Sequence, residues 1–336
     1  MHIVGLLESA GHVSGRYRLL ALKPYVERAG HKLEVRAIPD GFWRRMRFWR
    51  RLADADVVIL QRRLLSGWHF YHLRRHARRL IYDFDDAVYL RDSYAPKGLE
   101  SVVRRRRFIR TVSFADAVFA GNLTLQHEAF RYAVPRRVHL VPTCVDPRRY
   151  PLAEHVREKT GVVMVWIGSA STLQGMVSQA RLWNGIGRLV GGVSLKVICD
   201  RWPQFKHLRV LKARWSAATE GREIASADFG ISYLPEDDWS RGKCGLKVLQ
   251  YMAAGLPVIG NPIGVQTELI QHGKTGFLVS KPSDWVEAVY TLANDADLRR
   301  QMGQVARRRV EREFSVQSLV KNWLPLVSAV ATRTAA

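Results

Sequence analysis

The 336-residue chain is long enough for two domains of ordinary size, each with its own core. No apolar run reaches the roughly 18 residues that a membrane-spanning helix needs. Three scattered cysteines, Cys144, Cys199 and Cys244, indicate neither a disulfide framework nor a zinc site. The net charge is +23, with +15 of it in residues 1–150, which favours an anionic partner: nucleic acid, an acidic membrane surface or a phosphorylated substrate.

In chain order, His2-Ile3-Val4-Gly5-Leu6-Leu7 lacks the basic start of a secretory signal and reads as a first strand. Strand-like runs follow at 32–38, Val57–Gln61, Leu80–Phe84, Ala117–Ala120 and Val138–Pro142. Helical patterns lie between them, at about 16–29, 42–53, 66–79, 99–114 and 122–133. That alternation predicts βαβ units and a parallel sheet covered on both faces. Cys144–Lys159, with two prolines and mixed charge, reads as a linker. A second alternation places strands at Val162–Ile167, Ser194–Cys199, Leu208–Lys212, Phe229–Tyr233 and Leu256–Ile259. Its helices fall near 172–189, 216–226, 244–254, 264–272, 283–293 and 295–313, and a last helix is predicted near 315–331.

The stretch Trp239–Val279 says most. Lys243-Cys244-Gly245-Leu246 stands where a helix begins, with Lys247 in its first turn and Gly255 closing it before a short strand. A helix N-terminus at the mouth of a parallel sheet offers free N–H groups and a positive dipole end, which suits a diphosphate. The residues Gly245-Leu246, Leu249-Gln250-Tyr251-Met252-Ala253-Ala254-Gly255-Leu256-Pro257-Val258-Ile259, Gly264, Glu268 and Gly276-Phe277-Leu278-Val279 resemble the donor block of GT-B glycosyltransferases. The match is nearest to the retaining GT4 family, the glycosyl transferases of group 1. It spans the chain but is sharp only in this block. The resemblance implies an α/β GT-B plan, two Rossmann-like domains facing across a central cleft. Residues 1–150 would form the acceptor-side domain, 151–313 the nucleotide-sugar donor domain, and 314–336 a helix crossing back to the first. Ligands of such sheets lie outside the carboxyl ends of the strands.

Carried over position by position, the resemblance assigns donor binding to Lys243, Cys244, Gly245, Leu246, Lys247 and Gln250. Family members carry two Glu residues eight positions apart here; aligned on Gly245 and Met252, those positions hold Gly242 and Gln250. Gln250 still offers an amide to a ribose hydroxyl. The family also places an Arg and a Lys in the first loop of the second domain, where this chain reads Gly168-Ser169-Ala170-Ser171-Thr172. Lys243 and Lys247 would then balance the diphosphate, or both are ordinary surface lysines. Ser169 and Ser171 would contact phosphate or sugar oxygens, or merely cap the helix that follows.

In the first domain, Ser14-Gly15-Arg16-Tyr17-Arg18 follows the first strand, where the resembling enzymes lay a Gly-containing loop over donor diphosphate and acceptor. Gly15 permits close backbone approach; Arg16 is assigned to the donor and Arg18 to the acceptor. Asp83, Asp85 and Asp86 cluster at the end of the fourth strand. Many GT4 members carry a His-Asp pair there, so the catalytic assignment goes to Asp85 and Asp86, with Asp83 on the acceptor. The alternative is a strand end paired to neighbouring Arg. Clustered carboxylates also suit a divalent cation, but GT-B enzymes are usually metal-independent. No metal or cofactor is therefore expected beyond the nucleotide diphosphate sugar as co-substrate. Phe42–Leu52 sets Phe42, Met46 and Trp49 along one helix face with Arg on the other, which suits an anionic membrane plane and equally a helix packed on its own sheet.

The expectation is a retaining hexosyltransferase-type enzyme, cytoplasmic or peripheral at the inner face of the plasma membrane. It would move sugar from a nucleotide sugar donor to a hydroxyl of a carbohydrate or lipid-linked acceptor in bacterial surface-glycan or glycolipid synthesis. Two rivals stay open. One is a GT-B-like binding or scaffold protein without turnover, motivated by the missing carboxylates and bases. The other, ranked last, is a nucleic-acid-binding α/β protein, motivated by charge alone.

Overall fold

A strand buried on both faces needs no polar alternation, and central runs such as Val57–Gln61 and Val162–Ile167 have none, whereas the edge runs at Lys32–Ala37 and Arg209–Ala213 are partly polar. In the computed structural model, which describes residues 1–9, 11, 13–155 and 161–333, they form parallel strands. The first set is β1 (His2–Leu7), β2 (Lys32–Ala37), β3 (Val57–Gln61), β4 (Leu80–Phe84), β5 (Ala117–Ala120) and β6 (Val138–Leu140). Between them run α1 (Val13–Gly15, continuing as a π turn Arg16–Leu20), α2 (Lys23–Arg28), α3 (Phe42–Arg50), α4 (Gly67–His76), α5 (Val102–Phe114) and α6 (Leu123–Phe130). The second set is β7 (Val162–Ile167), β8 (Val193–Ile198), β9 (Arg209–Ala213), β10 (Phe229–Ser232), β11 (Val258–Gly260) and β12 (Gly276–Leu278). Its helices are α7 (Ala170–Ser178), α8 (Ala180–Leu189), α9 (Glu220–Ala225), α10 (Asp238–Arg241), α11 (Leu246–Ala253), α12 (Gln266–Leu269), α13 (Pro282–Asn294), α14 (Ala296–Arg309) and α15 (Val316–Thr332).

Two units result. The first comprises Met1–Cys144, Asp237–Cys244 and α15; the second comprises Val145–Glu236 and Gly245–Ser315. In the first unit the sheet order is β2-β1-β3-β4-β5-β6, with Ile3 level with both Leu33 and Val57. Alternate residues of its strands face opposite layers. Val4, Leu6, Val58, Leu60, Tyr82 and Phe84 meet Trp49 of α3, Phe70 and Leu73 of α4, and Phe108 of α5. Ile3, Leu7, Ile59, Ile81 and Phe119 meet Leu19, Leu22 and Val26, together with Leu319, Trp323, Val327 and Val330 of α15. The second unit has the order β12-β11-β10-β7-β8-β9, again parallel. One face of that sheet packs Trp166, Val197, Phe229 and Ile231 against Trp183, Trp285 and Val289.

Some expectations change. The pattern at 16–29 breaks at Ala21 and Leu22, and the one at 172–189 breaks at Gln179. β12, a three-residue run opening on glycine, carries no strand signal of its own and exists through its pairing with β11. Of the linker Cys144–Lys159, residues 156–159 lie outside the described residues. The described part is packed, with Val145 and Tyr150 buried and Val145 N bonded to Phe314 O at 3.0 Å. Residues 334–336 of the last segment also lie outside the described residues.

Candidate functional site

The second unit gathers its candidates at the carboxyl end of β7. There the chain turns at Gly168 into α7, whose start is closed by a capping box: the Ser169 side chain accepts from the third residue's N–H, while Thr172 Oγ1 accepts from Ser169 N at 3.1 Å. Ser169 Oγ and Ser171 Oγ lie 2.9 Å apart, and both residues are exposed. α11 begins differently. Its N-cap is Gly245, at φ +68°, with no side chain closing the first turn. Ser66, Ser101, Asn122 and Asp295 do close α4, α5, α6 and α14 in that way, while α3, with Gly41 at its N-cap, is left open like α11. A side chain at position 245 is disfavoured by the left-handed conformation, and its Cβ would crowd the tip of Leu269 at 2.3 Å. Leu246 follows, and one residue on, Lys247 sets its ammonium 4.2 Å from the Trp166 ring centroid on β7. Tyr251 ties helix to strand, its hydroxyl accepting from Ile167 N at 2.9 Å. Burial raises the Tyr251 phenol above its ordinary range. Ser169, Ser171, Gly245, Leu246 and Lys247 therefore belong to two elements locked together at one strand end.

Gln250 points elsewhere. It is buried, and Nε2 donates to Tyr150 Oη at 3.2 Å. That hydroxyl donates to Glu220 Oε1 at 3.4 Å, and Glu220 Oε2 accepts from Trp215 Nε1 at 2.9 Å. Glu220 is a buried carboxylate that the sequence reading missed. At the start of α9 it looks like any acid complementing a helix dipole, and only the fold joins it to the position where the family carries its second Glu.

In the first unit the three aspartates have separate fates. Asp83 takes Arg18 in a two-pronged pair, Nε to Oδ2 at 2.7 Å and Nη2 to Oδ1 at 2.5 Å, and both side chains are buried. Burial opposes the charge on Arg18, and Asp83 overcomes it, so the guanidinium stays protonated. Arg18 and Asp83, both assigned to the acceptor, are thus bonded to each other, with Arg18 Nη1 also 3.5 Å from Thr143 Oγ1, and they fix the segment after β1 to the end of β4. Asp86 is also buried, accepting from Arg62 Nη2 at 2.9 Å and from Lys243 Nζ at 3.3 Å. Asp85 keeps the most solvent contact of the three, 12% of its side chain, with Gln61 Nε2 at 3.3 Å and Arg62 Nη1 at 3.8 Å. Among the described residues no group of three or more His, Cys, Asp or Glu is placed to hold a metal.

Lys243 and Cys244, read as donor contacts, belong to the first unit. The Lys243 ammonium lies on Asp86 and 3.2 Å from the Trp239 ring centroid, and burial lowers its pKa against the pull of Asp86. Asn122 Nδ2 donates to Lys243 O at 3.0 Å, and Cys244 is buried, its thiol pushed well up by burial. Gly242, where the family has its first Glu, has no room for a side chain: a Cβ would stand 2.7 Å from Ala87 Cβ. Gly15 is buried, and a Cβ there would meet the tip of the Leu7 side chain at 2.6 Å. Arg16 Nη2 donates to Tyr17 Oη at 2.5 Å. Beside Asp85 and Asp86, Arg62 also lines a cavity of about 290 Å³ with Arg63, Arg104, Arg107, Glu8 and Trp239.

Two Rossmann-like α/β units, the first completed by the chain's last helix, make this a GT-B fold. Residues 208–295 match the family model described as glycosyl transferases group 1. Over 81 residues the chain is 37% identical to N-acetyl-alpha-D-glucosaminyl L-malate synthase of Bacillus anthracis, covering 24% of this chain and 21% of that protein. It is 38% identical over 69 residues to D-inositol 3-phosphate glycosyltransferase of Paenarthrobacter aurescens, covering 20% and 17%. The matched region thus spans about a fifth of the length of these curated relatives. Over nearly the whole chain the fold is that of Anabaena HepE solved with UDP, at a TM-score of 0.72, 15% identity and 98% and 100% coverage. Sucrose-phosphate synthase of Thermosynechococcus elongatus gives 0.73, 15%, 98% and 99%. The lipopolysaccharide outer core galactosyltransferase WaaB gives 0.67, 14%, 98% and 99%. The chain has a GT-B fold, and its residues 208–295 are similar to the glycosyl transferases of group 1.

Proposed function

We propose that this chain is a retaining glycosyltransferase that moves a sugar from a nucleoside diphosphate sugar to an acceptor hydroxyl, in the making of a bacterial surface glycan or glycolipid. The observation that carries this reading is the uncapped start of α11 at Gly245, with Lys247 in its first turn over Trp166 of β7. Its first-turn N–H groups and positive dipole end suit the diphosphate, and Lys247 adds a point charge. In the retaining reaction the acceptor oxygen bonds to the anomeric carbon on the face that the diphosphate leaves. The bond to the diphosphate oxygen breaks, and the acceptor proton passes to a phosphate oxygen. No protein nucleophile takes part, and the work is positioning and stabilisation of leaving-group charge. Asp85, the least enclosed of the three acids, is assigned the acceptor hydroxyl. The arginine-lined cavity next to it suits an acceptor bearing phosphate or carboxylate.

HepE has been solved with UDP and with UDP-glucose, which makes UDP the first nucleotide to try. Calorimetric titration with UDP, GDP, ADP, dTDP and CMP, without and with magnesium, tests the donor site. Micromolar binding of one nucleoside diphosphate, followed by turnover of its sugar conjugate, is the expected result. A binding or scaffold role has one specific observation in its favour, the closed position at Gly242 where the family carries a carboxylate. Donor binding with no cleavage across plausible acceptors would establish that second reading.

A further inference from the structure

α3 and α4 lie on one face of the first sheet, and Trp49, Phe70 and Leu73 supply their buried sides. Four more large rings on the same two helices face outward. Trp43 is 81% exposed, Trp68 57%, Tyr71 56% and Phe42 45%. They form one patch rather than scattered residues. Phe42 stacks on Trp68 at 6.4 Å, Trp43 meets Phe42 edge-on at 5.2 Å, and His72 lies 4.6 Å from Trp68 and 5.4 Å from Tyr71. An apolar outcrop of this kind is a solubility liability unless something covers it.

The charge around the patch says what would cover it. α3, α4 and the neighbouring α5 contain no Asp or Glu, yet they hold Arg44, Arg45, Arg47 and Arg50, then Arg74 and Arg75, then Arg104, Arg105, Arg106, Arg107 and Arg110. Asp40 before α3 pairs with Arg45 at 3.5 Å, and Asp116 with Arg74 at 3.3 Å. Arg44, Arg47, Arg75 and Arg106 remain exposed. We propose that the α3–α4 face docks on an anionic lipid bilayer, with Trp43 and Trp68 at the headgroup–acyl boundary and the arginines on lipid phosphates. Phe42 and Trp68 lie 6.4 Å apart with Trp43 edge-on beside them, a contiguous apolar cluster that can enter the headgroup layer together. The inference stands on this surface alone and does not depend on glycosyl transfer.

The test is flotation of the full chain with phosphatidylcholine vesicles and with vesicles carrying about 30% phosphatidylglycerol. The anionic vesicles should bind at least about tenfold more protein, with blue-shifted tryptophan emission and a loss of binding at high salt. Trp43→Ser with Trp68→Ser, and separately Arg44→Gln with Arg47→Gln, should each lower that binding by about tenfold while the thermal midpoint and nucleotide affinity stay unchanged. Should the tryptophan pair prove unstable, the arginine pair decides. Equal binding to both vesicles, binding to neither, or wild-type binding by the folded variants overturns the proposal. So does retention on duplex DNA without vesicle binding.

Discussion

Asp83, Asp85 and Asp86 share one strand end and one charge type, and their partners give them different work. Asp83 holds Arg18 in a buried two-pronged pair, so Asp83→Asn strands a guanidinium and should cost about 3–5 kcal/mol of stability, read by denaturant melts. Among the described residues Asp85 holds long contacts to Gln61 and Arg62, and it is the acid proposed to meet the acceptor hydroxyl. Asp85→Asn should leave nucleotide affinity and melting intact and lower turnover about 10²-fold; an unchanged rate would make it structural. Lys247 is tested separately, because its partner ring is on its own unit. Lys247→Ala should weaken nucleoside diphosphate binding about tenfold or more, about 1.5–3 kcal/mol, by calorimetry. Unchanged affinity would remove it from the donor site.

At the level of elements, β1, β3, β4, β5 and β7 fall on the bounds the sequence predicts, and α11 falls inside its predicted 244–254. Gly245 and the repeat Val248, Leu249, Met252 mark its start and its buried face in one dimension, and the helix runs Leu246–Ala253. Such features are legible because they are local: a spacing, a left-handed residue, a short apolar run. The fates of Lys243 and Cys244 were not legible. They depend on Asn122 and Asp86, more than a hundred residues away, and on Ala87 filling the space beside Gly242. Arg18–Asp83 and Gln250–Tyr150–Glu220 were hidden for the same reason, since nothing local marks a pair formed by topology. Gly245→Ala tests the agreement. It forces a left-handed backbone on a β-carbon and drives that carbon against Leu269 and Val265, so a loss of about 2–4 kcal/mol is expected in denaturant melts. Nucleotide affinity should fall with it, because the first turn of α11 must move.

At the level of the molecule, two units with separate cores make a single unfolding free energy a poor description. The first unit is completed by the far end of the chain, where Trp323 of α15 is buried among Ile3, Ile59 and Phe119. Trp323→Ala removes a large ring from that layer and should cost the first unit about 3–5 kcal/mol. The second unit carries a pH-sensitive contact. His155 is buried, its Nε2 donates to Gly255 O at 2.8 Å, and among the described residues its Nδ1 has no hydrogen-bond partner. Protonation would bury a charge in this setting, and burial accordingly lowers the His155 pKa below 6.5. The sign follows: with the folded pKa depressed, the stabilising contribution is complete above the unfolded value of about 6.5 and is lost as pH falls through the folded one. Scanning calorimetry should therefore separate the units. Acidification from pH 7.5 to 5.5 should lower the second unit's transition, and His155→Gln should flatten that dependence. Trp323→Ala should lower the other transition, and bound nucleoside diphosphate should raise only the second. A nucleotide that raises the Trp323-sensitive transition instead would place the donor site in the first unit and overturn the assignment to α11.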